Sequence, residues 1–120
     1  MTTKILFLAT LVAVIGFSQP SSAMGPVGSA VDKINLLQGL STWEALDERH
    51  LVLSLGSAQN YLVTLAHNCH TLPFASHLGV SASDNVVYAG FDYITADGQQ
   101  CAINTINELS DAQRRALIQL

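Results

Sequence analysis

HLVLSLGSAQNYLVTLA, residues 50–66, carries the plainest strand pattern in the chain. Leu51, Leu53 and Leu55 alternate with Val52 and Ser54, and Tyr61, Val63 and Leu65 repeat the same period of two. Between the two runs, segment 56–60 supplies Gly, Ser and Asn. Two period-2 runs joined by turn residues predict a β-hairpin. The opposite positions are only half polar, which predicts that part of this hairpin is covered on both faces.

Downstream, the periodicity changes. TLPFASHLG (71–79) contains Pro73, and its apolar residues Leu72, Phe74, Ala75 and Leu78 predict a short helical turn or packed loop that stops at Gly79. SASDN (81–85) reads as a loop. VVYAGFDYI (86–94) reads as one long strand with a bulge at Gly90. Asp97-Gly98 is a two-residue hairpin signal, with CAINTI (101–106) as the partner strand. Ser110-Asp111-Ala112-Gln113 is a capping box that opens a final helix, with Asp111 at the positive end of the dipole. Leu109, Ala112, Ala116 and Leu120, joined by Leu117, give that helix an apolar face, and Arg114 and Arg115 are expected on its outer side.

Upstream, Ser41-Thr42-Trp43-Glu44 also fits a capping box, which predicts a helical turn through Leu46. Trp43 is expected as a core or rim anchor. MGPVGSAVDK (24–33) reads as a flexible lead-in. Before it, Lys4 and the uncharged run 5–17 (ILFLATLVAVIGF) lead to Ser21-Ser22-Ala23, small residues at the positions a signal peptidase reads. Residues 1–23 are therefore expected to be a secretory signal peptide cleaved between Ala23 and Met24. As a membrane anchor the run is short, because a bilayer core asks for about 20 apolar residues. This leaves residues 34–120 as a single small β-rich domain, exported to the periplasm or the extracellular space and without stable membrane insertion.

Once Lys4 departs with the leader, the cations are Lys33, Arg49, Arg114 and Arg115, set against 9 Asp and Glu. They form no basic stripe, so nucleic acid is not expected as a partner. Export also bears on the only two cysteines, Cys69 and Cys101. An oxidising compartment lets them pair. Closing a loop of 32 positions would stabilise the fold by about 3–4 kcal/mol in the chain-entropy model.

The order STWEALDERHLVL (41–53), NYLVTLAHNCHTLPFASHLGVS (60–81) and CAINTINELSDAQ (101–113) resembles an exported bacterial family known as domain of unknown function 6491. The resemblance runs from about Ile34 to Leu120. It implies a small exported domain and carries over no activity.

Metal chemistry is the sharpest alternative. His67, Cys69 and His70 lie within four positions, and His77 follows, an imidazole–thiolate set suited to zinc or copper. Against it, a strand would place Cys69 and His70 on opposite faces, Pro73 prevents one continuous helix, and a disulfide removes the thiolate. Thiol catalysis is weaker still, as there is no C-x-x-C and Cys101 is remote in sequence. Asp47, Glu48, Asp84 and Asp92 are scattered carboxylates without a pairing signature, and neither a G-x-S-x-G elbow nor a Gly-rich phosphate loop occurs.

The expected molecule is α+β and mainly β. It is a small antiparallel sheet or partly closed barrel with short helices, a C-terminal helix and one Cys69–Cys101 disulfide. Its expected role is that of a non-enzymatic binding or structural domain with no cofactor, whose partner is an envelope protein or a small ligand. The alternative is a periplasmic metal-binding module using His67 and His70, with His77 as a further donor.

Overall fold

A computed structural model describes residues 27–119, apart from 38, 57 and 58. The signal-peptide reading, its Ala23/Met24 junction and the start of the lead-in lie outside the described residues.

The strands are β1 (Ala30–Val31), β2 (Lys33–Asn35), β3 (Thr42–Ala45), β4 (His50–Leu55), β5 (Gln59–Leu65), β6 (Leu78–Val80), β7 (Val86–Tyr88), β8 (Tyr93–Ala96) and β9 (Gln99–Leu109); helix α1 (Asp111–Ile118) ends the series. Seven of the strands form one curled, antiparallel half-barrel sheet in the order β3-β4-β5-β9-β8-β6, with β1 also on β9. β9 is the spine. One edge carries β5 along most of its length, and the other carries β8 at residues 99–102 and β1 at 106–107. Between Thr64 and Leu65 the β5 register slips past an extra residue of β9, a bulge that bends the sheet.

The hairpin of β4 and β5 forms as its alternation dictates, with Leu51 opposite Val63 and Leu53 opposite Tyr61. Its inner face joins Leu51, Leu53, Leu55, Val63 and Leu65 to Ile94, Ile103 and Ile106 in the main core. A separate ribbon of β2 and β7 covers that core through the cross-strand pair Ile34 and Val87, both fully buried. On the outer face, Val52 and Leu62 bury against Leu109 and Leu117. The hairpin is thus covered on both sides, as its half-polar alternate positions require. Trp43 packs at the rim of the main core.

Several local expectations yield to tertiary structure. Residues 42–45 form strand β3, not a helical turn: Trp43 and Ala45 face the core while Thr42 and Glu44 face out, so an alternating pattern outweighs the capping-box residues. The run 86–94 is two strands, because the chain turns between Tyr88 and Tyr93. The buried Asp92 carboxylate draws in the Tyr88 N–H and the Ser81 hydroxyl, both at 2.7 Å, and Gly90 at φ +78° allows the corner. Gly79 sits inside β6, opposite Thr95, and does not end a helix. The described part of the lead-in is paired to β9: Gly28 N–H donates to the Glu108 carbonyl, and Glu108 N–H to that of Ser29. A Cβ on Gly28 would collide with that Glu108 carbonyl, which explains a glycine there.

α1 begins with the expected capping box, Ser110 Oγ accepting from Gln113 N–H at 3.1 Å and Gln113 Oε1 from Ser110 N–H at 2.8 Å. Its buried face keeps Leu109 and Leu117 of the expected set but not the two alanines. Leu117 is the buried residue, Ile118 packs beside it, and Ala112 and Ala116 are exposed. Arg114 turns inward, its Nε donating to Ser54 Oγ at 3.0 Å. Among the described residues no helix is long and apolar enough to cross a membrane.

Candidate functional site

Strands β5 and β9 run antiparallel, so the sheet has two ends of different chemistry. One end carries the loops after β3, β5 and β8, and with them the sulfur and imidazole groups that the sequence singles out.

Cys69 and Cys101 form a disulfide with their Cα atoms 5.9 Å apart, and Cys69 is fully buried in the main core. The loop after β5 is tied down around it. Cys69 N–H donates to the Glu48 carbonyl at 2.7 Å, and Thr71 Oγ1 donates to the Ala96 carbonyl at 2.9 Å. Next comes the 3₁₀ turn Leu72–Phe74, with Leu72 buried and Phe74 84% exposed. The Asp97 carboxylate accepts from the Ser76 and His77 N–H groups, which hold it below the ordinary carboxylate range in that order of effect.

The histidines do not converge. His67 is exposed, His70 Nδ1 sits 3.3 Å from Glu48 Oε1, and His77 Nδ1 sits 3.7 Å from Asp97 Oδ1. His50, which the sequence did not mark, pairs with Asp47 at 2.9 Å. Partial burial pushes the Asp47 carboxyl up, but the N–H of Arg49 and the ring and N–H of His50 outweigh it, so the net displacement is downward. Among the described residues no three His, Cys, Asp or Glu side chains gather as a metal site. The Cys69 sulfur is committed to Cys101. Of the scattered carboxylates, Asp92 is buried as a structural acceptor and Asp47 caps its turn through the N–H groups of Arg49 and His50.

The opposite end carries a polar hollow of about 420 Å³. Its walls include Ser29 from the segment before β1, Gln59 and Tyr61 from β5, Glu108 from β9, and Ser110 and Gln113 from the start of α1. Tyr61 and Glu108 are direct cross-strand partners, so their side chains leave the sheet on one face as neighbours. Burial and then the Glu108 carboxylate push the Tyr61 phenol above its ordinary range, so it stays a neutral donor and acceptor at neutral pH.

A polar chain, buried at Ser54 and Asn60, joins the hollow's Asn60 to α1. Arg114 Nε donates to Ser54 Oγ, Ser54 Oγ donates to Asn60 Oδ1 at 2.8 Å, and Asn60 Nδ2 donates to Asp111 Oδ1 at 2.9 Å. Asn60 is 6% exposed and also lines the hollow. A buried polar network with its partners in place fixes geometry more firmly than apolar contact alone. The chain therefore ties α1 to β4 and β5.

Sequence reasoning missed this end of the molecule. Ser110 and Gln113 read only as a helix cap, Gln59 and Asn60 as turn and Ser29 as loose chain, and Glu108 lies beyond the expected strand 101–106. Pairing of the Gly28–Ser29 segment with Glu108 and the docking of α1 bring them together.

No curated protein and no solved structure matches the chain. One family model does, over residues 1–119, and by that match the chain belongs to the family of unknown function DUF6491.

Proposed function

We propose that this chain is an exported domain that acts by binding, without a cofactor, and that its binding site is the hollow at the α1 end. The carrying observation is the hollow itself, whose polar walls are held together by strand pairing and by the hydrogen-bonded chain from Arg114 to Asp111. Fixed, convergent polar groups in a concavity are what a specific ligand site requires. The buried disulfide supports export, since such bridges persist in oxidising compartments. The signal-peptide sequence supports it too.

Two measurements test the reading. N-terminal sequencing of the protein from the periplasmic fraction should begin at Met24. Affinity capture from envelope extract should recover a component with the wild-type protein that is lost with Glu108→Lys, a change at an exposed wall residue. Equal recovery by both proteins would move the site elsewhere.

The rival reading, zinc or copper held by His67, His70 and His77, draws on the His70–Glu48 pair. A rise in melting temperature with micromolar zinc or copper, abolished by His67→Ala/His70→Ala, would favour it; equal melting with and without metal would remove it.

A further inference from the structure

We infer that the hollow takes a neutral, polyhydroxylated ligand: a saccharide, presented free or as part of a glycan strand. The inference rests on reading the hollow as a binding site and goes beyond it by naming the ligand's chemistry.

The walls offer a phenol from Tyr61, hydroxyls from Ser29 and Ser110, and amides from Gln59 and Gln113. Hydroxyls and amides both donate and accept, which is the recognition chemistry a polyol needs, because each sugar hydroxyl is itself donor and acceptor. Among the described residues that line the wall, Glu108 is the one with a charged side chain. Its two oxygens can accept from adjacent hydroxyls in charge-assisted bonds, and its charge turns away phosphates and acidic peptides. Arg114, whose Nε donates to Ser54, is not among the residues that line the hollow, so the lining itself offers an anion no counter-charge.

The aromatic ring completes the set. Tyr61 packs against the main core, so its ring is held in place beside the Glu108 carboxylate instead of sweeping through solvent. A fixed ring next to a carboxylate suits the mixed surface of a pyranose, apolar C–H on its faces and hydroxyls on its edge. The hollow's 420 Å³ lies within the roughly 300–1,000 Å³ of small-ligand sites. Tyr61, Gln59 and Glu108 all line the hollow, and among the described residues no hydrogen bond engages the Tyr61 hydroxyl, the Gln59 amide or the Glu108 carboxylate.

The test uses the oxidised, exported protein and amide NMR, with chitotriose and maltotriose as separate probes. One or both sugars should move the amides of Ser29, Tyr61, Glu108 and Gln113 saturably, with a Kd on the order of 1 mM. Tyr61→Ala should weaken that binding at least about tenfold, and Tyr61→Phe, which keeps the ring, should restore most of it. Should Tyr61→Ala fail to fold, Glu108→Ala at an exposed position carries the same expectation. Sedimentation with insoluble cell-wall glycan then separates sources: co-sedimentation blocked by the soluble sugar points to a glycan strand, and its absence alongside saturable shifts points to free sugar. No shift of these amides by either sugar at roughly 10 mM would overturn the inference, as would unchanged binding by both Tyr61→Ala and Glu108→Ala. If the sugars fail while Glu108→Lys still abolishes capture of an envelope component, the hollow remains a binding site for another chemistry.

Discussion

A single carboxylate closes one corner of the disulfide end. Asp97 sits at φ +46° in its turn and accepts from the Ser76 and His77 N–H groups, so its charged form is favoured in the folded state. The folded value lies below the ordinary 3.8, so the contribution is fully present above that value and is lost as pH falls through the folded one. Asp97→Asn keeps a residue tolerant of left-handed backbone but removes the charge. Melting temperature measured from about pH 5 down to about pH 2 should therefore fall less steeply in the variant; superimposable acid limbs would show that the carboxylate does not hold the loop. Arg114 makes the complementary point at the other end. Its donation to Ser54 inside the sheet–helix contact predicts that Arg114→Ala costs roughly 1–2 kcal/mol in urea unfolding, where a solvated arginine would cost almost nothing. The sequence could not show this, since helical periodicity marks only apolar residues as inward and an arginine stem can cross such a face to reach a buried hydroxyl.

At the scale of elements, legibility follows locality. The β4–β5 hairpin, the Asp97-Gly98 turn and the α1 cap were readable because each is fixed by residues within a few positions of one another. The α1 cap yields a prediction: Ser110→Ala removes the acceptor for Gln113 N–H and should cost about 1 kcal/mol by denaturant midpoint. Loss should be concentrated in α1, visible as faster amide exchange at Arg114–Ile118 while β4 and β5 keep their protection. The misread elements are those settled at a distance. Thr42–Ala45 carries capping-box residues, yet pairing with Leu51–Ser54 lets it bury Trp43 and Ala45, a gain a solvent-side turn lacks. The run 86–94 has continuous strand composition, yet Val87 and Ile94 belong to different sheets because Asp92 ties a corner between them. Segment 28–31 looks loose by its Gly and Ser content and is ordered by the spare edge of β9.

For the whole molecule, the central question is how a single small sheet holds its curl, and the sulfur pair supplies part of the answer. Cys69 lies in the loop that leaves β5, and Cys101 lies near the start of β9, so the bridge ties that loop to the spine strand of the sheet. Both half-cystines are buried among Leu65, Leu72, Ile94 and Ile103, and the loop between them contains β6, β7 and β8. Opening it frees a segment of 32 positions in the unfolded chain and leaves the folded contacts nearly unchanged. The chain-entropy cost is about 3–4 kcal/mol, a large part of the roughly 5–15 kcal/mol that holds a small domain together. Cys69→Ala/Cys101→Ala should therefore lower the melting temperature by roughly 15–25 °C, and reductant should bring the wild-type protein toward the same value once unfolding exposes the bridge. Alanine is the informative replacement, because serine would bury a hydroxyl without a partner at a site of zero exposure for residue 69. The hollow lies at the far end of β5 and β9, so the folded double variant at low temperature should keep the amide shifts of Tyr61, Glu108 and Gln113. An unfolding free energy within about 1 kcal/mol of wild type would mean that burial of the β4–β5 core, and not the crosslink, sets the stability of this sheet.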